Sequence, residues 1–134
     1  MAWSDDDLME LLRMHTNAWN AHDIDALMAL FAEDCVFEAS GGSDVTGERY
    51  VGKEEVRAAF SAVFDSMPDA RWRDGRHNVV SPGYGVSEWT LACTWSDGSR
   101  IEVNGCDFLT VVDGAITLKN SFRKNRPPLQ PPAT

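Results

Sequence analysis

Apolar residues recur at helical spacing through the first stretch of the chain. Leu8, Leu11, Leu12 and Trp19 fall on one side of "DLMELLRMHTNAWNAHD", the three-to-four-residue recurrence of an amphipathic helix. His15 falls on that same side, a titratable ring inside an apolar stripe. Ser4, with Asp7 three residues on in an acidic run, supplies a capping hydroxyl and negative charge at the positive helix end. This helix is predicted to run to about Ala21. His22 and Asp23 break it, and Asp23 caps a second helix through "IDALMALFAED", with Leu27, Leu30 and Phe31 on its apolar side. "CVFEA" reads as a short strand, and "SGGSDVTGERYVG" as a polar, glycine-rich loop ending in a short strand. "KEEVRAAFSAVFDSM" returns to the helical period, burying Val56, Ala59, Phe60, Val63 and Phe64, until Pro68 ends it.

From there the period changes from helix to strand. "DARWRDGRHNVVS", "GVSEWTLACTW", "RIEVNGCDFLTVV" and "AITLKNSFRK" read as four strands, with "SDGS" and "DG" as hairpin turns. Helices first and a long antiparallel meander afterwards define an α+β fold, with three N-terminal helices packed on one face of a curved, mainly antiparallel sheet. A pocket between the two layers is the default site. The domain is predicted to span residues 1–124, with an irregular, proline-rich tail over 125–134.

Length and charge narrow the function. The 134 residues suffice for one domain. A net charge of −9 argues against nucleic-acid partners, whose binding rests on Lys and Arg at phosphate, and against anionic membrane surfaces. Cys35, Cys93 and Cys106 have neither disulfide-frame nor zinc-ligand spacing. The chain lacks a signal-like N-terminus and a membrane-length apolar run, so a cytoplasmic protein is expected. No His, Cys and Asp set has metal-ligand spacing, and the glycines do not form a phosphate-binding loop. His22 reads as part of a helix cap and His77, in "RDGRHN", as exposed.

The segments "AWNAHDIDALMALFAEDCVFE", "YVGKEEVRAAF", "MPDARW" and "GVSEWTLACTWSDGSRIEVNGCDFLTVVDGAI" resemble SnoaL-like proteins of the nuclear-transport-factor-2-like superfamily, which includes the ketosteroid isomerases. The resemblance runs over roughly residues 8 to 123. It implies a cone-shaped fold around a pocket, a homodimer formed through the outer face of the sheet, and proton-transfer chemistry without metal or organic cofactor. The resembled isomerases place an oxyanion-hole Tyr on the first helix, a protonated Asp on a late strand and a proton-shuttling Asp after the first strand. Those positions fall on His15, Asp107 and Ala39. The acid is retained, the phenol becomes an imidazole, and the base is missing. Epoxide-hydrolase relatives carry an Arg where Gly105 stands and an Asp on the last strand, which "KNSFRK" lacks.

Asp107 sits mid-strand between Cys106 and Phe108, where a carboxylate needs a reason. Pointing inward it could act as donor or acid, and pointing outward it would pair with Asn104 or a neighbouring strand. An Asp107–His15 pair would fix the imidazole tautomer for base or donor work. With Asp107 inward, strand parity sends Gly105 inward too, leaving room for a ligand. The hairpin then turns Glu88, Thr90 and Ala92 inward, with Trp89, Leu91, Cys93 and Trp95 on the outer face. On the last strand Lys119, Ser121 and Arg123 face in, and Ile116 and Leu118 face out. Glu88 and Lys119 either pair with each other or reach the rim. Trp19, Phe37, Phe60 and Trp72 line the cavity or simply pack the core. Tyr50 stands at the mouth or on a surface loop. The leading expectation is an isomerase- or cyclase-like enzyme for an apolar carbonyl compound, with His15 and Asp107 as its chemistry. The competing one is a small-molecule-binding or scaffold protein of the same fold.

Overall fold

The computed structural model describes residues 3–129. The first helix, α1, spans Asp5–Asn20, and its capping box forms as the spacing predicts. Asp7 N–H donates to Ser4 Oγ at 3.1 Å, and Ser4 N–H donates to Asp7 Oδ2 at 2.9 Å. Leu8, Leu11, Leu12, His15, Ala18 and Trp19 form its buried side. The second helix, α2, is shorter than its apolar spacing predicts, covering only Ile24–Met28. Strand β1, Phe31–Glu38, takes the rest. Ile116 N–H donates to Leu30 O at 2.8 Å and Phe31 pairs with Ile116. A helix this short is marginal, so the ladder decides the conformation.

Strand β2 is Arg49–Val51 and helix α3 is Lys53–Ser66. Strands β3, β4, β5 and β6 cover Arg71–Ser81, Tyr84–Thr94, Arg100–Val112 and Ala115–Arg123. The sheet order is β2-β1-β6-β5-β4-β3. Only the β1–β6 pairing is parallel, and the other four are antiparallel. α1 packs against β3 and β4, and α3 against β1 and β2. The fold is thus α+β, with helices on one face of a curved sheet. The core lies between the layers, where Leu12, Leu27, Val56, Phe60, Leu109 and Ile116 are wholly buried.

Two details of register correct the expected strand faces. The β4–β5 hairpin turns through three residues, Ser96 to Gly98, not four. Trp95 N–H donates to Ser99 O at 2.9 Å, and Gly98 adopts φ +84°, the three-residue loop closed by a left-handed glycine. One residue fewer in the loop reverses the parity of β4 relative to β5. Ser87 therefore pairs with Asp107 and Trp89 with Gly105, so Trp89 and Leu91 face inward. Glu88 is exposed on the outer face. The second detail is a bulge in β6. Thr110 pairs with Leu118 but Val111 pairs with Ile116, so the extra residue, Thr117, turns Ile116 into the core.

Beyond β6, residues 124–128 have no regular structure, and Leu129 forms an isolated bridge to Arg100. The remaining tail residues, 130–134, lie outside the described residues. Among the described residues no helix is long and apolar enough to cross a membrane.

Candidate functional site

A cavity of about 360 Å³ opens between α1, α3 and the inner face of the sheet. His15, Trp19, Phe37, Tyr50, Trp72, Asp107 and Lys119 all stand on its wall. Tyr50 pairs with Phe37 across β1 and β2, and the rings stack at 5.7 Å, which places the phenol on the cavity and not on a free loop. Phe60 lies behind the wall, edge-on to Trp19 at 4.8 Å and to Phe37 at 4.9 Å. It is core that holds the cage and does not line it. Glu88, facing away, takes no part.

Gly105 does face inward, but it does not leave room for a ligand. A Cβ there would come within 2.5 Å of the Trp89 indole and of the Phe122 carbonyl oxygen. The bare glycine lets Trp89 lie across the strand and reach Asp107, which its Nε1–H meets at Oδ2 at 3.0 Å. The four-residue-turn parity hid Trp89 from sequence reasoning. Counting three residues between Trp95 and Ser99 would have found it.

Asp107 is the hub of the polar end. Lys119 Nζ donates to its Oδ2 at 3.1 Å, and Ser121 Oγ–H donates to its Oδ1 at 2.5 Å. Lys119 therefore pairs with Asp107 and not with Glu88. Asn104, considered as a partner of Asp107, instead accepts from Thr90 Oγ1 at 2.7 Å. With an indole N–H, an ammonium and a hydroxyl converging on it, the carboxyl group acts as an acceptor at both oxygens. This differs from the protonated donor of the resembled isomerases.

His15 and Asp107 do not hydrogen-bond directly; Lys119 stands between them. Its Nζ lies 3.3 Å from His15 Nε2, which also accepts from Trp19 Nε1–H at 3.1 Å. The ammonium sits 4.7 Å above the Trp19 ring, a cation–π contact within a desolvated site. Because Nε2 accepts, the neutral imidazole carries its proton on Nδ1, which has no hydrogen-bond partner among the described residues. Burial pushes the His15 imidazole well below its ordinary 6.5, and the charges of Lys119 and His77 push the same way. Burial also lowers the Lys119 ammonium from its ordinary 10.5, while Asp107 opposes the shift. His77, expected to be exposed, is half-buried, with Nδ1 2.8 Å from Ser87 Oγ.

The model of the SnoaL-like domain matches residues 11–119. The chain belongs to the SnoaL-like domain family. Among solved structures, this SnoaL-like chain is similar to a candidate polyketide cyclase of Xanthomonas campestris pv. campestris. The identity is 21%, with 87% of this chain and 90% of that one covered and a TM-score of 0.78. An NTF2-like protein of unknown function from Mesorhizobium loti is 26% identical, covering 90% and 93%, with a TM-score of 0.72. A candidate ketosteroid isomerase of Kribbella flavida is 23% identical, covering 96% and 84%, with a TM-score of 0.70. No curated protein matches the chain.

The buried charges of this SnoaL-like site give two stability predictions. Lys119→Met strands the Asp107 carboxylate and is expected to cost about 3–5 kcal/mol, as is Asp107→Asn, which strands the ammonium. The double variant should lose clearly less than the sum in urea denaturation; additive losses would show that the two charges do not couple. The second concerns His15. Its folded pKa is depressed, so the unfolded chain binds the extra proton, and stability is lost as pH falls below about 6.5. Between pH 7.5 and 5.5, His15→Phe should lose on the order of 1 kcal/mol less stability than the wild type. Equal losses in the two proteins would mean that the imidazole is not held neutral.

Proposed function

We propose that the chain is an isomerase- or cyclase-type enzyme that moves a proton on an apolar carbonyl compound of polyketide-like or steroid-like size. One observation carries the reading: a lysine ammonium, fixed between Asp107 and His15, at the deep end of an aromatic cavity. Such a cavity takes a flat apolar skeleton. Lys119 is the group there that can donate to a carbonyl oxygen and stabilise the negative charge of an enolate. Asp107 holds the ammonium in place and compensates its burial. His15, neutral and fixed by Trp19, accepts a hydrogen bond from the Lys119 ammonium at Nε2 and keeps it aimed. No step is routed through a metal or an organic cofactor.

A second reading, a pocket that binds an apolar ligand without turnover, draws on Ala39. It stands on the cavity wall at the place where the resembled isomerases carry their proton-shuttling Asp. Deuterium exchange separates the two. In deuterium oxide the wild type should accelerate α-proton exchange of an apolar ketone such as 2-decalone. Lys119→Met should slow it by about 10²–10³-fold, the effect of losing one charge-stabilising donor. A ketone that raises the melting temperature without exchanging would point to the binding protein.

We also propose that two copies associate through the outer face of the sheet. Tyr84, Phe108 and Phe122 form a contiguous aromatic run there, with centroids 5.7 and 5.9 Å apart, and Phe122 is 51% exposed. Tyr84 and Phe108 are half-buried beside it, and a partly exposed aromatic patch of this kind marks an association surface. Light scattering during size exclusion should give twice the 14.8 kDa chain mass for the wild type and the single mass for Phe122→Glu. A monomeric wild type would remove this proposal.

A further inference from the structure

The glycine-rich segment after β1 brings a second acidic residue, Glu48, to the cavity wall. Ala39 N–H donates to Glu48 O at 2.9 Å, and Glu48 N–H donates to Gly41 O at 2.7 Å. The first bond extends the β1–β2 ladder, in which Phe37 pairs with Tyr50 and Glu38 with Arg49, and the second, to Gly41, closes the loop beyond the strand ends. One step further along this register sets Glu48 opposite Ala39. Residues directly opposed on antiparallel strands project from the same face. Phe37 and Tyr50 project into the cavity and Glu38 and Arg49 away from it, so the same alternation brings Ala39 and the exposed Glu48 to the cavity rim. Ala39 and Glu48 both line the cavity accordingly.

The loop is built around this placement. A Cβ on Gly47, which adopts φ +72°, would come within 2.0 Å of the Ala39 carbonyl oxygen. One on Gly42, with φ +140°, would come within 2.2 Å of the Glu48 nitrogen. Only glycine lets the chain pass close enough to clamp Glu48 beside Ala39. The Glu48 carboxylate has no ion-pair or hydrogen-bond partner among the described residues, whereas neighbouring Glu38 is paired with Arg49. Asp107, by contrast, already accepts from Trp89, Lys119 and Ser121, so its oxygens are engaged.

We propose that Glu48 is the general base of the proton transfer, standing one strand away from the position that Ala39 vacates. This inference rests on the proton-transfer reading above. A Glu48 oxygen takes the proton from the carbon α to the carbonyl as that C–H bond breaks. The electron pair moves into the enolate, whose oxygen receives the Lys119 N–H bond. In an isomerisation the same proton returns to the conjugated carbon, and the carboxylate is regenerated. Being exposed as well as cavity-lining, Glu48 also exchanges its proton with solvent, which makes the step visible as isotope wash-in.

The experiment measures deuterium incorporation into 2-decalone by the full chain as a function of pH and ketone concentration. Glu48→Gln should lower kcat by about 10²-fold or more, leave KM nearly unchanged and flatten the acidic limb of the pH profile. Adding Ala39→Asp to Glu48→Gln should restore at least about tenfold of the loss, by returning a carboxylate to the adjacent strand. Glu48→Gln with wild-type kcat, or with a change in KM alone, overturns the assignment while wild-type exchange leaves the proton-transfer reading standing. A double variant that folds with the wild-type melting temperature yet stays as slow as Glu48→Gln also counts against it. A wild type that exchanges no ketone removes both the reading and the inference.

Discussion

The buried ion pair between Lys119 and Asp107 is the constraint around which this molecule is arranged. Both side chains are almost wholly removed from water, a costly state unless every remaining donor and acceptor is met. The surrounding residues meet most of that demand. Trp89 and Ser121 complete the carboxylate, while His15 and the face of Trp19 surround the ammonium. Each of these in turn constrains something else. Trp89 reaches Asp107 only because Gly105 offers no side chain, and His15 serves as an acceptor only while neutral. The polar cluster thus imposes conditions on α1, β4, β5 and β6 at once.

The rest of the fold reads as the frame for that cluster. The antiparallel meander carries Asp107, Lys119 and Trp89 on consecutive strands, so their spacing is set by the ladder and not by flexible loops. The parallel insertion of β1 beside β6 brings Phe37 next to Lys119, which joins the aromatic cage to the charged end. α3 supplies Phe60, whose contacts with Trp19, Phe31 and Phe37 fix those rings from behind. A preorganised charge held almost wholly out of water is what the proposed carbonyl chemistry requires, because its donors need not reorganise as charge develops.

Much of this was legible in the order of residues. Ser4 and Asp7 announced α1, the change of period near Asp69 announced the meander, and "NGCDFL" marked a mid-strand acid in need of a reason, with its direction left open. The oddity of His15 on an apolar stripe marked the right side of α1. What local pattern did not carry was parity, because a side chain's face depends on a count of residues that a turn or bulge can alter by one. Ser96–Gly98 and Thr117 each did so, moving Trp89 and Ile116 inward and Glu88 outward. The partner of Lys119 depended on that same count. The early end of α2 depended on a strand more than eighty residues away, and the place of Glu48 on a backbone register that no side-chain pattern records.

The three-residue hairpin between β4 and β5 has a consequence for how such a pocket can diverge. Most surface loops absorb insertions and deletions with little effect on what they connect. This one cannot, because adding a single residue would re-register eleven paired positions and exchange the two faces of β4. Trp89 and Leu91 would leave the cavity and Glu88 and Thr90 would enter it, with every residue of the strand unchanged. An insertion remote from the chemistry would replace an indole with a carboxylate beside Asp107. The length of that turn is therefore as strict a condition on the cavity as any side chain in the site, and a change in it would open a different cavity in one step.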